Sequence, residues 1–344
     1  MRAQVQREFG GDEVVAFETV ADPEPAPAEV IVAVKACALN RLDLLQRGTP
    51  LVRGFTLPHI AGMDVAGVVV ERGRDLAPGV GPAIGQRVMI DPISTCGICE
   101  RCRNGLAPYC ENLRTIGSTR PGGFAERVAA PADRIYPIPD SMPFVEAATI
   151  PIAGMTAFQA LRAGHHTTGE TVLVNGAGSG VSCALLTLLL ARGATVITTA
   201  GGPQKVRAAL NAGYHHAIDH RVADIPASVL AFTDGHGVDL VVDHVGPALF
   251  RASISSLAIG GRMVFCGTTT GTEATLSLTD VYHWGRSLIG SGGYQATDFP
   301  VMLQEMAAAG RTPVIDSVWA FDDLLEAQGR MSRGEFFGKI VIEL

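Results

Sequence analysis

Between residues 29 and 91 the apolar positions fall in short β-branched runs separated by glycine and proline: EVIVAVKACAL (29–39), DVAGVVVERG (64–73) and QRVMID (86–91). Runs of this length and composition read as strands. A succession of them predicts a small barrel or sandwich. At Ser141 the period changes. SMPFVEAATIPIAGMTAFQALRAG reads as helix, with Ser141 in the N-cap position. Strands and helices then alternate. TVLV (171–174) is followed by a helix over 181–192, TVITTA (195–200), a helix over 203–212, HAID (216–219), a helix near 225–233, DLVVDHVG (239–246), another helix, and RMVFCG (262–267). That alternation predicts a parallel sheet with helices on both faces. SLIGSGG (287–293), the helix FPVMLQEMAAAG and the terminal strand GKIVIEL complete the chain.

Composition bounds the function. The 344 residues suggest about two domains. With 47% hydrophobic and 18% charged residues, the chain has ample apolar surface for a packed core. A net charge of −7 without a basic run argues against nucleic acid or an anionic membrane as partner. The longest apolar block, ALLTLLLA (184–191), is too short to span a bilayer, and the first twenty residues hold no apolar signal segment. The seven cysteines are an odd number, and four are clustered. This is the usage of a reduced, cytoplasmic protein with a metal site, not of a disulfide framework.

The cluster is CGICERCRNGLAPYC, in which Cys96, Cys99, Cys102 and Cys110 are spaced x2, x2 and x7. Four thiolates satisfy zinc tetrahedrally and leave no position for water or substrate. One structural Zn2+ in a lobe over 91–115 is therefore expected.

VLVNGAGSGVSCALLTLLLARGATVITTA reads as strand, glycine-rich turn, helix and strand. In such a unit the turn admits a pyrophosphate to the backbone, and the helix start offers free N–H groups. Sites for NAD usually place Asp or Glu at the end of the second strand, on the ribose 2′-hydroxyl. Here that strand ends Thr199-Ala200-Gly201-Gly202 with no acid, Lys205 follows, and His220-Arg221 closes the next strand. A missing carboxylate beside cations suits a 2′-phosphate, so NADPH is favoured over NADH. The alternative reading is that Lys205 and Arg221 are solvated surface charges.

The barrel segment, the lobe and the nucleotide unit, in this order, resemble the medium-chain dehydrogenase/reductase superfamily. The resemblance spans essentially the whole chain and is carried by CGICERCRNGLAPYC, AGMDVAGVV (61–69), GMTAFQAL (154–161), AGSGVS (177–182) and GKIVIEL. It implies an α/β fold with two domains. One is a GroES-like β-barrel catalytic domain over 1–151 and 293–344, and the other a Rossmann doubly wound parallel sheet over 152–292. It also implies a homodimer or tetramer paired through the strand SLIGSG. By the same resemblance Ala177, Gly178, Ser179, Gly180 and Val181 hold the cofactor phosphates, with Thr199, Gly201, Gly202, Lys205 and His220 near the ribose. Thr156 would lie beside the nicotinamide, Val245 and Gly267 in loops over the cofactor, and Lys339 near it. Ser179 and Ser182 stand where the family usually has glycine, and a serine hydroxyl there could add a phosphate hydrogen bond.

Zinc alcohol dehydrogenases of this superfamily hold a second, catalytic zinc. The three positions that match its ligands carry Asn40, Met63 and Ile152, which do not form the donor set zinc needs. Cys37 and His59 lie nearby in sequence but are poorly placed to rescue it. Without a Lewis acid, the acceptors within reach are electron-poor alkenes and quinones, whose charge delocalises onto an oxygen that hydrogen-bond donors can stabilise. The motif ALNRLD (38–43) is similar to quinone and enoyl reductases, in which the asparagine sits near the substrate carbonyl. Asn40 is thus the candidate catalytic residue. Its plainer reading is an N-cap for RLDLLQ, and Asp43 is expected to hold local backbone or Arg41. Tyr282, His283 and Tyr294 are not assigned as proton donors. The leading expectation is an NADPH-dependent reductase of enones, enoyl thioesters or quinones. The alternatives are a zinc-dependent alcohol dehydrogenase with an unrecognised catalytic zinc, and a non-catalytic NADPH-binding protein.

Overall fold

The computed structural model describes residues 1–77, 79 and 81–344. It divides into two units. The first comprises Met1–Ile152, Gln295–Phe299 and Ile315–Leu344, and the second Ala153–Tyr294 and Pro300–Val314.

The first unit is built on the strand Glu29–Ala38, in which seven of ten residues are buried. Its β-branched residues suit a pleated surface packed on neighbours. It belongs to a seven-stranded sheet. The order runs Ile315–Ala320, Lys339–Glu343, Glu29–Ala38, Asp64–Arg72, Arg87–Ile90 and Ile135–Pro137, and Arg127–Pro131 pairs with the first half of Glu29–Ala38. Val30, Val32, Val65, Val88, Phe124 and Ile342 lie in the core this sheet encloses. The register places the functional end. Ala38 pairs with Asp64 on one side and Val341 on the other, and Leu39 N–H donates to Ile340 O at 2.9 Å. Asn40, Asp64 and Lys339 thereby emerge at one end of three adjacent strands. The approach to Asp64 requires a glycine. Gly62 has φ +97°, and a Cβ there would lie 2.7 Å from Phe124 N and 2.9 Å from Cys37 Sγ.

In the second unit six strands form one parallel sheet. Their order is His216–Asp219, Thr195–Ala200, Thr171–Val174, Val238–Asp243, Leu257–Phe265 and Ser287–Gly290. The helix Gly180–Ala191 buries Cys183, Ala184, Leu185, Leu186, Leu188 and Leu189. Such an all-apolar helix packs over the sheet centre. No helix is long and apolar enough to cross a membrane, among the described residues.

Two expectations are corrected. The helix expected from Ser141 is two helices, Phe144–Ala147 and Pro151–Ala163, and Pro143 takes the first N-cap position. Proline 151 has no N–H to continue the earlier helix, so a new one starts there. Residues 300–314, expected with the first domain, belong to the second unit. There Glu305 accepts from Arg192 at 2.6 Å and Arg311 donates to Ala212 O at 2.7 Å; segregation by contact overrides order along the chain.

Candidate functional site

In the first unit, the strand ends bring together a buried ionic network. Lys339 Nζ donates to Asp64 Oδ2 at 2.7 Å, to Leu39 O at 2.8 Å and to Asn40 Oδ1 at 3.0 Å. Asn40 Nδ2 donates to Asp64 Oδ2 at 2.9 Å, and Ile152 N–H donates to Asp64 Oδ1 at 2.8 Å. Asp64 is 0% exposed and Lys339 3%, whereas Asn40 is half-buried. Asn40 does occupy the N-cap of the helix Arg41–Gly48, but its side chain faces the ion pair. With Asp43, Asn40 forms a capping box, in which Asp43 Oδ2 accepts from Asn40 N–H at 2.7 Å, and Asp43 Oδ1 accepts from Gly62 N–H at 3.3 Å. Burial pushes the Asp43 carboxyl up to about 7, against the lowering effect of the Asn40 and Gly62 N–H groups and Lys339.

Positions 40 and 152 therefore do meet, on Asp64, which Met63 precedes in the chain. Sequence reasoning did not single out Asp64. The one available signal was an acid next to an expected ligand position and flanked by apolar residues. The two side chains considered as replacements are both packed. Burial pushes the Cys37 thiol well above its ordinary range. His59 is buried and neutral, with Nε2 3.1 Å from Gly117 O. Lys339 was expected near a cofactor; all three of its protons are placed inside the first unit.

The lobe holds the four cysteines as expected. Their sulfurs lie within 4.8 Å of one another, with Cys99 and Cys110 at 3.9 Å and Cys96 and Cys110 at 3.5 Å. Zinc–thiolate bonds of about 2.3 Å in a tetrahedron require sulfurs roughly 3.8 Å apart. The cage fits that ion. N–H groups of Ile98 and Cys99 bring the Cys96 thiol down to about 6. Burial and the neighbouring thiols push Cys102 up to about 12, so a central cation is what lets all four ionise together. Among the described residues this is the only group of three or more His, Cys, Asp or Glu side chains spaced to hold a metal.

In the second unit the glycine-rich turn joins Thr171–Val174 to the helix Gly180–Ala191. Ser179 is the helix N-cap, its Oγ accepting from Ser182 N–H at 2.9 Å. The N–H groups of Gly178, Gly180 and Val181 meet no protein acceptor among the described residues. They are the donors a pyrophosphate would use. Ala177 and Thr199 are buried beneath the turn. Thr199 Oγ1 accepts from Gly176 N–H at 3.0 Å and donates to Asn175 Oδ1 at 3.2 Å, and Ala177 N–H donates to Thr199 O at 2.9 Å. The expectation for Ser182 is corrected. It is 0% exposed, and its hydroxyl donates to Asn175 O at 3.1 Å, so it faces the sheet and not a phosphate. His244 was not anticipated: its Nε2 lies 2.8 Å from Ser179 Oγ and 2.9 Å from Ser182 Oγ. Burial holds its imidazole below the ordinary value, only partly offset by Asp243.

Around the expected ribose position, Asp219 Oδ1 accepts from Gly202 N–H at 3.0 Å and Arg221 N–H at 3.1 Å. This folds Arg221 back over the diglycine. A Cβ on Gly201 would lie 3.2 Å from His220 Nε2 and 3.3 Å from Arg221 Nε, and one on Gly202 3.2 Å from Arg221 Nη1. Arg221 is exposed, as the solvated reading expects, and its guanidinium lies alongside the turn. Lys205 is half-buried on the helix Pro203–Ala212. The loop after Gly267 is tied to Val245: Thr270 Oγ1 donates to Val245 O at 2.8 Å, and Thr269 Oγ1 to His244 O at 2.9 Å. Thr156 is half-buried on Pro151–Ala163 in the second unit.

Two family models match: the alcohol dehydrogenase GroES-like domain over residues 26–140, and the zinc-binding dehydrogenase over 180–308. An alcohol dehydrogenase of Geobacillus stearothermophilus is 30% identical over 347 residues, covering all of both chains. The chain belongs to the zinc-type medium-chain dehydrogenase/reductase superfamily. Its relatives in this superfamily of oxidoreductases include the quinone oxidoreductase of Homo sapiens, 28% identical over 100% of this chain and 98% of that one. A crystal structure of an NAD-dependent alcohol dehydrogenase superposes with a TM-score of 0.92 at 36% identity, covering both chains completely. The α/β architecture, with a GroES-like domain and a Rossmann-type sheet, is that of the superfamily.

Proposed function

We propose that this chain is an NADPH-dependent reductase that passes hydride to an activated C=C bond or a quinone, with one structural zinc and no catalytic metal. One observation carries the reading. Where zinc alcohol dehydrogenases place three metal ligands, this chain has Asn40, Met63 and Ile152, and the aspartate after Met63 has oxygens that already accept from Lys339, Asn40 and Ile152. The cation at this place is an ammonium, and it exposes no open coordination position.

Bound nicotinamide supplies the hydride. The chain's own groups do the rest. Gly178, Gly180 and Val181 N–H hold the pyrophosphate at the helix start. Arg221 and His220, with Lys205, receive the 2′-phosphate beside Gly201 and Gly202; a guanidinium is the side chain best matched to a phosphate. Asn40 donates to the acceptor oxygen as it gains charge, and water delivers the final proton. Among the described residues the strand Ser287–Gly290 is paired on one side only, with Leu257–Phe265, and offers its other edge to a second copy. A mass by light scattering equal to one 36.0 kDa chain would reject that dimer.

The names of the relatives favour a second reading, an alcohol dehydrogenase. Two measurements on protein purified without added metal separate them: zinc per chain, and turnover with quinones and enones plus NADPH against alcohols plus NADP+ or NAD+. About one zinc per chain with quinone or enone reduction is expected. About two, with alcohol oxidation lost to chelators, would replace the proposal by the second reading. NADPH fluorescence changes without turnover would leave a non-catalytic binder.

A further inference from the structure

We propose that Lys339 is a positioning residue that acts through Asn40, charging the amide from behind so that its unused N–H stabilises the oxyanion formed on a reduced acceptor. The inference rests on the reductase reading above and gives Lys339 a role that reading leaves open.

The hydrogen-bond inventory fixes the amide. An ammonium has three donors and no acceptor. Lys339 spends its three on Leu39 O, Asn40 Oδ1 and Asp64 Oδ2. The Asn40 oxygen must therefore face Lys339, and its nitrogen must face Asp64, a carboxylate that can only accept. Nδ2 carries two hydrogens. Asp64 takes one at 2.9 Å. The second meets no acceptor among the described residues, and it belongs to the half-buried member of an otherwise buried group. Asp43 and Gly62 add to the rigidity by pinning the Asn40 backbone from the other side.

The two ends of this amide have different work. Asp64 sets the rotamer. Lys339 sets the polarity, because a positive charge on the amide oxygen draws density from nitrogen and strengthens the remaining donor. Donors held in place before charge develops are the effective kind, since nothing reorganises during the step. On an enone, hydride adds at the β-carbon and forms a C–H bond. The C=C pair shifts toward the carbonyl carbon and the C=O π pair moves onto oxygen, where the Asn40 N–H meets it. Water then protonates the α-carbon as the C=O bond re-forms. The acceptor gains one hydride, which carries both electrons, and one proton, and the dihydronicotinamide is oxidised by the same two electrons.

The test removes the charges and keeps the hydrogen bonds. K339Q/D64N leaves a neutral donor for Asn40 Oδ1 and a neutral acceptor for Nδ2. It is made in the Asn40 and N40A backgrounds and assayed with NADPH and a naphthoquinone. Loss of one oxyanion donor costs about 10²–10³ in kcat elsewhere. K339Q/D64N is expected to lose at least roughly 10-fold in kcat, with an unchanged KM for NADPH and no further loss in the N40A background. Equal losses in both backgrounds, or none in the first, would overturn the role. A readout independent of turnover and of the variants' folding is the Asn40 side-chain amide in the NMR spectrum of the wild-type protein. Its free proton should move downfield on adding 4-nitrophenolate as an oxyanion probe, and an unmoved resonance at saturating probe would overturn the inference. Wild-type protein that reduces no acceptor would instead sink the reductase reading, while the amide response still decides the donor.

Discussion

Acid should destabilise this protein through His59, and the size of the effect follows from where the ring sits. His59 is 4% exposed. Its ring stands 4.5 Å from that of Phe55, and Nε2 lies 3.1 Å from Gly117 O. Burial disfavours the imidazolium, and one carbonyl contact does not restore it, so the ring titrates at about 4 instead of 6.5. The unfolded chain takes up the proton at the ordinary value. Between these two values the unfolded state binds more protons, so stability rises with pH in that window and falls as the solution is acidified. At pH 5 the folded ring is still mostly neutral and the unfolded one mostly charged. The linkage relation then gives a loss of about 2 kcal/mol between pH 7 and pH 5, growing to about 3 kcal/mol by pH 4. His59→Gln keeps an N–H for Gly117 O and removes the titration. Urea unfolding at pH 7 and pH 5 should show that the variant loses about 2 kcal/mol less than wild type on acidification. The His59 ring protons should show no titration above pH 5 in the NMR spectrum. Identical pH profiles for wild type and variant, or a ring that titrates near 6.5, would refute the argument.

Replacing Arg221 by alanine should lower kcat/KM for NADPH by roughly 10- to 100-fold, the worth of a charge-assisted contact to phosphate, and leave NADH unchanged; an equal loss with both cofactors would show that the residue only shapes the turn. Cys110→Ser should reduce bound zinc from about one per chain to a sub-stoichiometric level and lower the melting temperature without abolishing NADPH binding. Elemental analysis and nucleotide fluorescence check the two halves, and a fully retained zinc would mean that the ion is not held by the lobe.

Much of the fold was legible in the chain because the signals were local. The strands 171–174, 195–200 and 216–219 and the helix 203–212 lie where periodicity places them, each bounded by glycine, proline or a change of period. The cysteine lobe was legible for the same reason: four ligands within fifteen residues carry their own geometry. Where punctuation was ambiguous the reading slipped. Pro143 and Pro151 split a helix that apolar spacing alone runs together, and residues 300–314 join the unit their contacts select, not the one their position suggests.

The chain alone was enough for the α/β class, the cysteine cluster and the glycine-rich turn, since each is a matter of which residue types stand within a short stretch. Only the tertiary structure decided what those residues do together. Asp64 and Lys339 are 275 positions apart, and a 2.7 Å contact between them exists because the strands Asp64–Arg72 and Lys339–Glu343 flank Glu29–Ala38 from opposite sides. His244 reaches Ser179 and Ser182 only because two parallel strands lie side by side. Side chains far apart in sequence acquire partners through register and sheet order, and no local periodicity encodes them. The direction of the Asn40 amide belongs to that class: it was fixed when a distant lysine, with no acceptor to offer, came to rest against its oxygen.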